Sequence, residues 1–334
     1  MVNLKMWYDA LRIIPRISQE EWKELDIVSR WLIASRAAVF VMTAISVIFA
    51  ALLTIRDGLF HPLPFILAFF GLIFAHATNN LLNDLTDFIK GVDKDNYFRN
   101  QYGPHPLEQQ LLSVNQMWGY IIASFLIALA CGIYLALTTP IITVYLIALG
   151  IFFIAFYTWP LKYFGLGELT VLIVWGPLMI GGSYYVISGG HWNWNVVICS
   201  FLYSIGPTSV LIGKHIDKSD KDRAKKIHTL PVILGETASR YLVIFLWIAQ
   251  YILLFYLLSI NFFSYSVLLV VLSLPQLIKS IIIFSKPRPS SPPKELELAW
   301  PLYFVYFAFL YNRRFGTLLV LALVIEIFLK YVIH

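Results

Sequence analysis

An all-α, polytopic membrane protein is the architecture this sequence predicts, on three observations. Of its 334 residues, 59% are hydrophobic and only 13% are charged, about half the charged share of a soluble domain. The apolar residues gather into runs of roughly 20, the length a helix needs to cross a bilayer. The charges collect between those runs, on alternate sides of them. A chain this apolar cannot hide its surface in one aqueous core, so lipid must act as its solvent.

The runs 33–54, 63–82, 115–138, 140–158, 166–188, 194–213, 240–259, 262–284 and 315–333 are the expected spans, about nine in all. The stretch 299–311 is apolar but short and close to Pro301, and reads as interfacial or as the early part of the last span. The charged loops 83–114, 159–165, 214–239 and 285–314, with the N-terminal segment and the helix ends beside them, hold nearly all the Lys and Arg; Arg56 and Lys330 are the clear exceptions. The positive-inside rule places the N-terminus and those loops in the cytoplasm. This topology accounts for the formal charge of +6, so no nucleic-acid partner is needed to explain it.

Residues 1–334 read as a single intramembrane domain, with no internal repeat and a surface linker at 286–294. Within 1–30, Trp7, Leu11, Ile13 and Ile14 interleave with Lys5, Arg12 and Arg16. That pattern suits an amphipathic helix at the membrane interface, and a solvated N-terminal arm fits equally well. It lacks the uninterrupted apolar stretch of a signal peptide. Cys131 and Cys199 lie in apolar runs with no partnering motif and read as inert thiols, without zinc or redox chemistry.

Acidic residues are scarce, so their grouping carries information. After the second span comes Asn79-Asn80-Leu-Leu-Asn83-Asp84-Leu-Thr-Asp87-Phe-Ile-Lys90-Gly91-Val-Asp93. Asp84 and Asp87 share a face of a helical turn. Two carboxylates so placed can hold Mg²⁺, which keeps waters and completes its shell with substrate phosphate. Asn83 can add an amide oxygen, and a turn at Gly91 lets Asp93 fold back. A solvated loop explains this cluster alone equally well. After the sixth span comes Lys214-His215-Ile-Asp217-Lys218-Ser-Asp220-Lys221-Asp222-Arg223-Ala-Lys225-Lys226. Its acids suit metal and its bases suit diphosphate oxygens, although charge runs are usually solvated faces. Both clusters leave spans on the same side. In a helical bundle they can face one cavity, with Mg²⁺ and a diphosphate between them, an arrangement suited to ionising an allylic diphosphate.

These strings resemble the UbiA superfamily of intramembrane prenyltransferases. Asn83-Asp84, Asp87 and Gly91-Val-Asp93 are similar to its first aspartate motif, with the spacing of the dihydroxynaphthoate polyprenyltransferase (menaquinone) branch. Tyr157-Thr-Trp-Pro160-Leu-Lys162-Tyr-Phe-Gly165-Leu-Gly167-Glu168 resembles the loop between its fourth and fifth helices, and Gly176-Pro177 with Gly181-Gly182-Ser183-Tyr184-Tyr185 fits the same branch. Asp222-Arg223-Ala-Lys225-Lys226-Ile-His228-Thr229-Leu230-Pro231-Val232, with Leu234-Gly235 beyond it, resembles its second motif. The resemblance implies nine helices around a central cavity that opens sideways to lipid and is capped by the two Asp loops. It implies Mg²⁺-dependent transfer of a prenyl group, an alkyl group other than methyl, from its diphosphate to a lipophilic or aromatic acceptor of quinone biosynthesis. Carried over, Asp84, Asp87 and Asp222 hold Mg²⁺ and, with Lys162, form the catalytic set. Asn83 and Asp93 support the metal, Asn79 or Asn80 lines the cavity mouth, and Asn83, Tyr157, Lys162, Lys214 and Arg223 meet the diphosphate.

The sequence departs from the family pattern at Lys218, where an Asp is usual. Asp217 and Asp220 are the nearest acids, and Asp217, closer to the helix exit, is the expected replacement ligand. Lys214-His215 stands in place of amides, His105 in place of Arg, and Gln110 in place of Gly; these changes bear on the acceptor more than on the diphosphate. A terpene cyclase on the same scaffold is the alternative activity. A secondary transporter fits less well, because the acids sit at helix exits and no repeated halves are visible. Among single residues, His76 reads as a helix-packing or acceptor-binding side chain, Glu168 as a helix cap or proton acceptor, and Glu326 as an interhelical hydrogen-bond partner. Most aromatic residues read as lipid-facing or belt residues, a few as cation-stabilising.

Overall fold

The structure is a computed structural model that describes residues 2–94, 103–293, 296 and 300–333. Among the described residues every regular element is helical: α1 (Leu4–Arg12), α2 (Gln19–Glu24), α3 (Ile27–Ala34), α4 (Phe40–Arg56), α5 (Pro62–Ile89), α6 (Val114–Thr138) and α7 (Ile142–Phe156), followed by α8 (Gly167–Ile187), α9 (Trp194–Asp217), α10 (Ser219–Ala224), α11 (Leu230–Leu234), α12 (Glu236–Ser259), α13 (Tyr265–Phe284) and α14 (Phe304–Ile333). Eight are long and apolar enough to cross a membrane. The fourth expected span is the short helix α7, with 15 residues, about 22 Å of helix against roughly 30 Å of hydrocarbon.

Three boundaries differ from the sequence expectation for one reason. Hydropathy marks where lipid ends, whereas a helix continues as long as its polar side chains find partners. So α5 runs on through the first acidic cluster to Ile89, α9 runs on to Asp217, and α14 starts at Phe304 rather than at 315. In α14 the interrupting Asn312 is buried against Gly206 of α9, where only a glycine leaves room for it. The acidic strings therefore sit on helical surface, where their spacing is rigid.

Helix α9 is the axis of the bundle, packed against α8, α12 and α14. Small residues on it allow close approach, as is usual between membrane helices. At Gly213 a Cβ would lie 3.0 Å from the Phe304 carbonyl carbon and the Val305 nitrogen, so no larger residue lets α14 begin there. One turn on, the Asp217 carboxylate accepts hydrogen bonds from both Phe304 N (3.0 Å) and Val305 N (3.0 Å). It thereby satisfies two of the donors that a helix N-terminus leaves unpaired. Trp247, Tyr311, Phe315, Phe284 and Phe304 pack around this axis, all fully buried.

Helix α8 widens into a π-helix over Val174–Gly181, with Pro177 inside it. Proline has no N–H for the ladder, and π-turns recur where a helix must re-aim side chains at a site. Here they set Trp175 and Met179 against the interior cavity described below.

At one end of the bundle lie both acidic clusters; this is the Asp end. At the other, the two basic exceptions to the charge pattern are tied inward. Arg56 binds Asp57 (2.9 Å), the Phe262 carbonyl (2.8 Å) and Glu326 (3.7 Å), Lys330 donates to the Arg56 carbonyl, and Tyr184 donates to Asp57 (2.8 Å). Glu326 also accepts from Ser264 N (3.1 Å) and Ser264 Oγ (3.0 Å), the interhelical bond its place in the sequence suggests.

The N-terminal segment folds onto the Asp end. Trp22, Leu32 and Ile33 share a buried cluster with Leu81, Leu85, Leu107, Leu111 and Met117, while Leu4, Tyr8, Leu11 and Ile13 stay exposed. Asp26 pins it, accepting from Val28 N, Ser29 N and Ser29 Oγ, Trp7 Nε1 and Asn3 N. Loss of solvent pulls its carboxyl upward, but the bonds from Ser29, Trp7 and Asn3 together hold it well below the usual aspartate range. A lowered folded value means stability that is present above the unfolded aspartate value and lost as pH falls through the folded one. Asp26→Asn is accordingly expected to speed amide hydrogen exchange across residues 3–16, with little change in α9; equal exchange in both proteins would show that Asp26 is not the pin.

Candidate active site

The site grows from two turns. Helix α5 ends with Gly91 at φ +68°, a left-handed conformation that glycine adopts without strain. The Val92 amide bonds back to the Asp87 carbonyl (2.8 Å), which tucks Val92 inward against Ile227 and Tyr163. Lys225 reaches the Gly91 carbonyl (3.5 Å) from the second loop. The two acidic loops thus pack on one another at the same end of the bundle, with the 159–165 loop between them.

Each buried acid here meets a base of its own chain. Arg36 lies 3.2 Å from Asp84 and donates to the Asn80 carbonyl (3.0 Å). Lys162 binds both Asp87 oxygens (2.9 and 2.7 Å). Lys218 binds Asp222 (3.0 Å), which also faces Thr229. His105 Nε2 donates to Asp93 (2.8 Å), because His105 Nδ1 accepts from the Glu108 amide. His215 pairs with Glu168, which also accepts from Leu230 N (3.2 Å). Tyr157 stands among them, within the electrostatic reach of Glu168, Lys218, Arg36 and Asp87. Burial first, and the acids next, push its phenol far above the ordinary tyrosine value; Tyr163 is raised in the same way, by burial and then by Asp87.

Inside the bundle is a cavity of about 580 Å³. Its walls are apolar, with Phe125, Phe153, Trp175, Met179, Tyr306 and Phe309 among them. Its polar rim is Arg36, Asn79, Asn80, Asn83, Tyr157 and Lys214. Asp84 and Asp87 follow one turn beyond Asn80 and Asn83 on α5. His76 also lines the cavity, edge-on to Trp175 and hydrogen-bonded to Thr43 (2.8 Å).

The sequence-derived site residues divide accordingly. The structure brings together Asn83, Asp84, Asp87, Tyr157, Lys162, Lys214 and Asp222. It directs four others elsewhere. Asp217, expected to replace a ligand at Lys218, gives both oxygens to the start of α14. Asp220 and Arg223 are exposed on α10. Asp93 is held by His105. Asp217→Ala should therefore lower thermal stability by about 2–4 kcal/mol, since two buried amides lose their acceptor. Unchanged melting together with lost metal binding would make Asp217 a ligand instead.

The donors fit one hard divalent cation on α5: two carboxylates a turn apart with the Asn83 amide beside them, held in place by Arg36 and Lys162. Among the described residues, no three His, Cys, Asp or Glu side chains converge as a ready-made metal cage. Arg36 escaped the sequence reading of the site, as did the pairing of Glu168, read there as a helix cap or proton acceptor, with His215. The only signal for Arg36 was a lone arginine at the mouth of an apolar run, a costly placement that calls for a partner.

The chain matches the UbiA prenyltransferase family over residues 43–310. It is 27% identical over 198 residues to a UbiA prenyltransferase domain-containing protein 1 homolog of Drosophila melanogaster, which covers 57% of this chain and 53% of that protein. The chain thus spans about half the length of that relative. It is 25% identical over 228 residues to 1,4-dihydroxy-2-naphthoate octaprenyltransferase of Escherichia coli (strain K12), covering 65% of this chain and 72% of that one. Among solved structures, the apo UbiA homolog from Aeropyrum pernix K1 aligns at TM-score 0.60 and 16% identity, over 85% of this chain and 97% of that one. A UbiA homolog from Archaeoglobus fulgidus bound to DMAPP and Mg²⁺ aligns at TM-score 0.53 and 15% identity, over 86% and 98%. At these identities the structural likeness establishes the fold.

Proposed function

Because the chain belongs to the UbiA prenyltransferase family and is a prenyltransferase, we propose that it moves an isoprenyl group from its diphosphate to an aromatic, quinone-precursor acceptor inside the membrane, with Mg²⁺ at the Asp end. The whole chain, 1–334, acts as one intramembrane unit in this reading, with its N-terminus and both acidic loops in the cytoplasm. The observation that carries it is the pair of facing acidic loops over an apolar cavity of about 580 Å³. The naphthoate prenyltransferase relative supports an acceptor of that class, and the fold neighbour solved with DMAPP and Mg²⁺ supports the donor and the metal.

When bound, Mg²⁺ offsets the charge that grows on a departing diphosphate. Asp84 and Asp87 would hold it, with Asn83 alongside. Arg36 and Lys162 then exchange a carboxylate partner for phosphate oxygen, a charge-assisted bond of similar strength. Lys214 and Tyr157 meet the diphosphate from the rim. The bond between the prenyl C1 and the bridging oxygen breaks, and the allylic carbon lies among Trp175 and Phe153, where aromatic faces stabilise a cation and water is excluded. A ring carbon of the acceptor supplies the electron pair of the new bond, and its proton leaves to the diphosphate or to a nearby base.

Purified protein, labelled geranyl diphosphate, Mg²⁺ and 1,4-dihydroxy-2-naphthoate test this directly. A prenylated naphthoate that forms only with metal and acceptor is expected. A cyclic hydrocarbon that forms without acceptor would move the protein to the cyclases, and no consumption of diphosphate would refute both readings.

A further inference from the structure

The two loops that face each other are not equivalent. On α5, two carboxylates stand a turn apart at Asp84 and Asp87. On the second loop a lysine and an aspartate stand four residues apart, again about one turn. Lys218 and Asp222 are 6% and 0% exposed, and their ion pair measures 3.0 Å. The other acids of that loop are committed: Asp217 caps α14, and Asp220 faces outward on α10. The second loop therefore offers one buried carboxylate, already neutralised by an ammonium.

We propose that Lys218 is the fixed cation of this half of the site, so that the enzyme binds its diphosphate with one divalent metal, on Asp84 and Asp87, and with the Lys218 ammonium in place of a second. The proposal rests on the reading above, that a metal diphosphate occupies the Asp end. A divalent ion at the second loop would find Asp222 as that loop's one carboxylate neither spent on backbone amides nor turned to solvent, where α5 presents two. An ammonium needs no such partner. It donates up to three hydrogen bonds; Asp222 accepts one at 3.0 Å and stays its anchor, while a phosphate oxygen accepts another. The location is right as well. Lys218 acts on both Tyr157 and Tyr163, and so does Asp87 of the opposite loop. Burial matters here, because a buried ammonium keeps its place and acts through a low dielectric, where an exposed lysine would be screened.

The test counts metals. Full-length protein in detergent is titrated with Mn²⁺ in the presence of methylene diphosphonate, an unreactive diphosphate, with bound Mn²⁺ read by electron paramagnetic resonance. Wild type is expected to bind one Mn²⁺ per chain, Lys218→Arg one, and Lys218→Asp two. Lys218→Gln should keep one and bind the diphosphonate about tenfold or more weakly, for loss of a charge-assisted contact. Two Mn²⁺ in the wild type, or a Lys218→Gln variant with undiminished diphosphonate affinity, would overturn the assignment and leave the metal-diphosphate reading standing. Wild type that binds neither probe would overturn both. Lys218→Arg, which preserves the buried ion pair, shows whether any loss comes from misfolding.

Discussion

Asp84→Asn and Asp87→Asn each reduce prenyl transfer by on the order of 10²–10³ or more, the expected size when a preorganised group that balances transition-state charge is removed. Asparagine keeps the size and one oxygen but not the charge. Mg²⁺ prefers carboxylate oxygen, and on α5 these are the two carboxylates that follow one turn beyond the rim residues Asn80 and Asn83. Each change also leaves a buried base without its counter-charge, Arg36 in one variant and Lys162 in the other. That side effect is separable. Thermal melting without metal reports the lost pair, whereas Mn²⁺ affinity and single-turnover rate report the site. Normal transfer by both variants, or full activity in excess EDTA, would remove Mg²⁺ from the Asp end whatever the fold.

Lys162→Ala is expected to be costly twice over. The ammonium is 4% exposed and binds both oxygens of Asp87. Its removal leaves a buried carboxylate uncompensated, a loss of about 3 kcal/mol in comparable pairs. It also takes away a cation that the diphosphate would use, so the KM for the diphosphate should rise and kcat should fall. Mg²⁺ bound by Asp87 supplies the missing charge, so the stability defect should shrink as Mg²⁺ is added while the kinetic defect remains. Arg223→Ala is the matched control. Arg223 is exposed, where substitutions stay within about 0.5 kcal/mol, and its effect on diphosphate use should be a few-fold at most. If the two variants behave alike, burial is not what separates them.

The sequence announces the bundle because lipid imposes a length and a composition on each span, and both can be read along one chain. The acidic cluster of α5 was legible for a similar reason: three-residue spacing on a helix fixes a face without help from the rest of the molecule. What could not be read was pairing across the fold. Asp217 and Asp222 are both aspartates in one charged run, yet one caps α14 and the other meets Lys218. Nothing local distinguishes them, because the partner amides lie at residues 304 and 305. Arg36 was hidden in the same way. Its partners, Asn80 and Asp84, lie on α5, beyond the whole of α4. The end of α9 was misplaced because its last turn is polar by composition but buried by packing.

The hydrogen bonds from residues 304 and 305 to Asp217 also put the enzyme's assembly in order. The acceptor is made 87 residues before the first of the donors. Until α14 is synthesised and inserted beside Gly213, the loop that carries Lys218 and Asp222 lacks this anchor at its base and is held by the Glu168–His215 pair and its packing on the first loop. A nascent chain halted short of that helix would hold its first acidic cluster on a finished α5 and its second on a helix end with one anchor missing. The Asp end is thus among the last parts of the protein to be finished, because its second half gains its full set of anchors only when the final helix is in place.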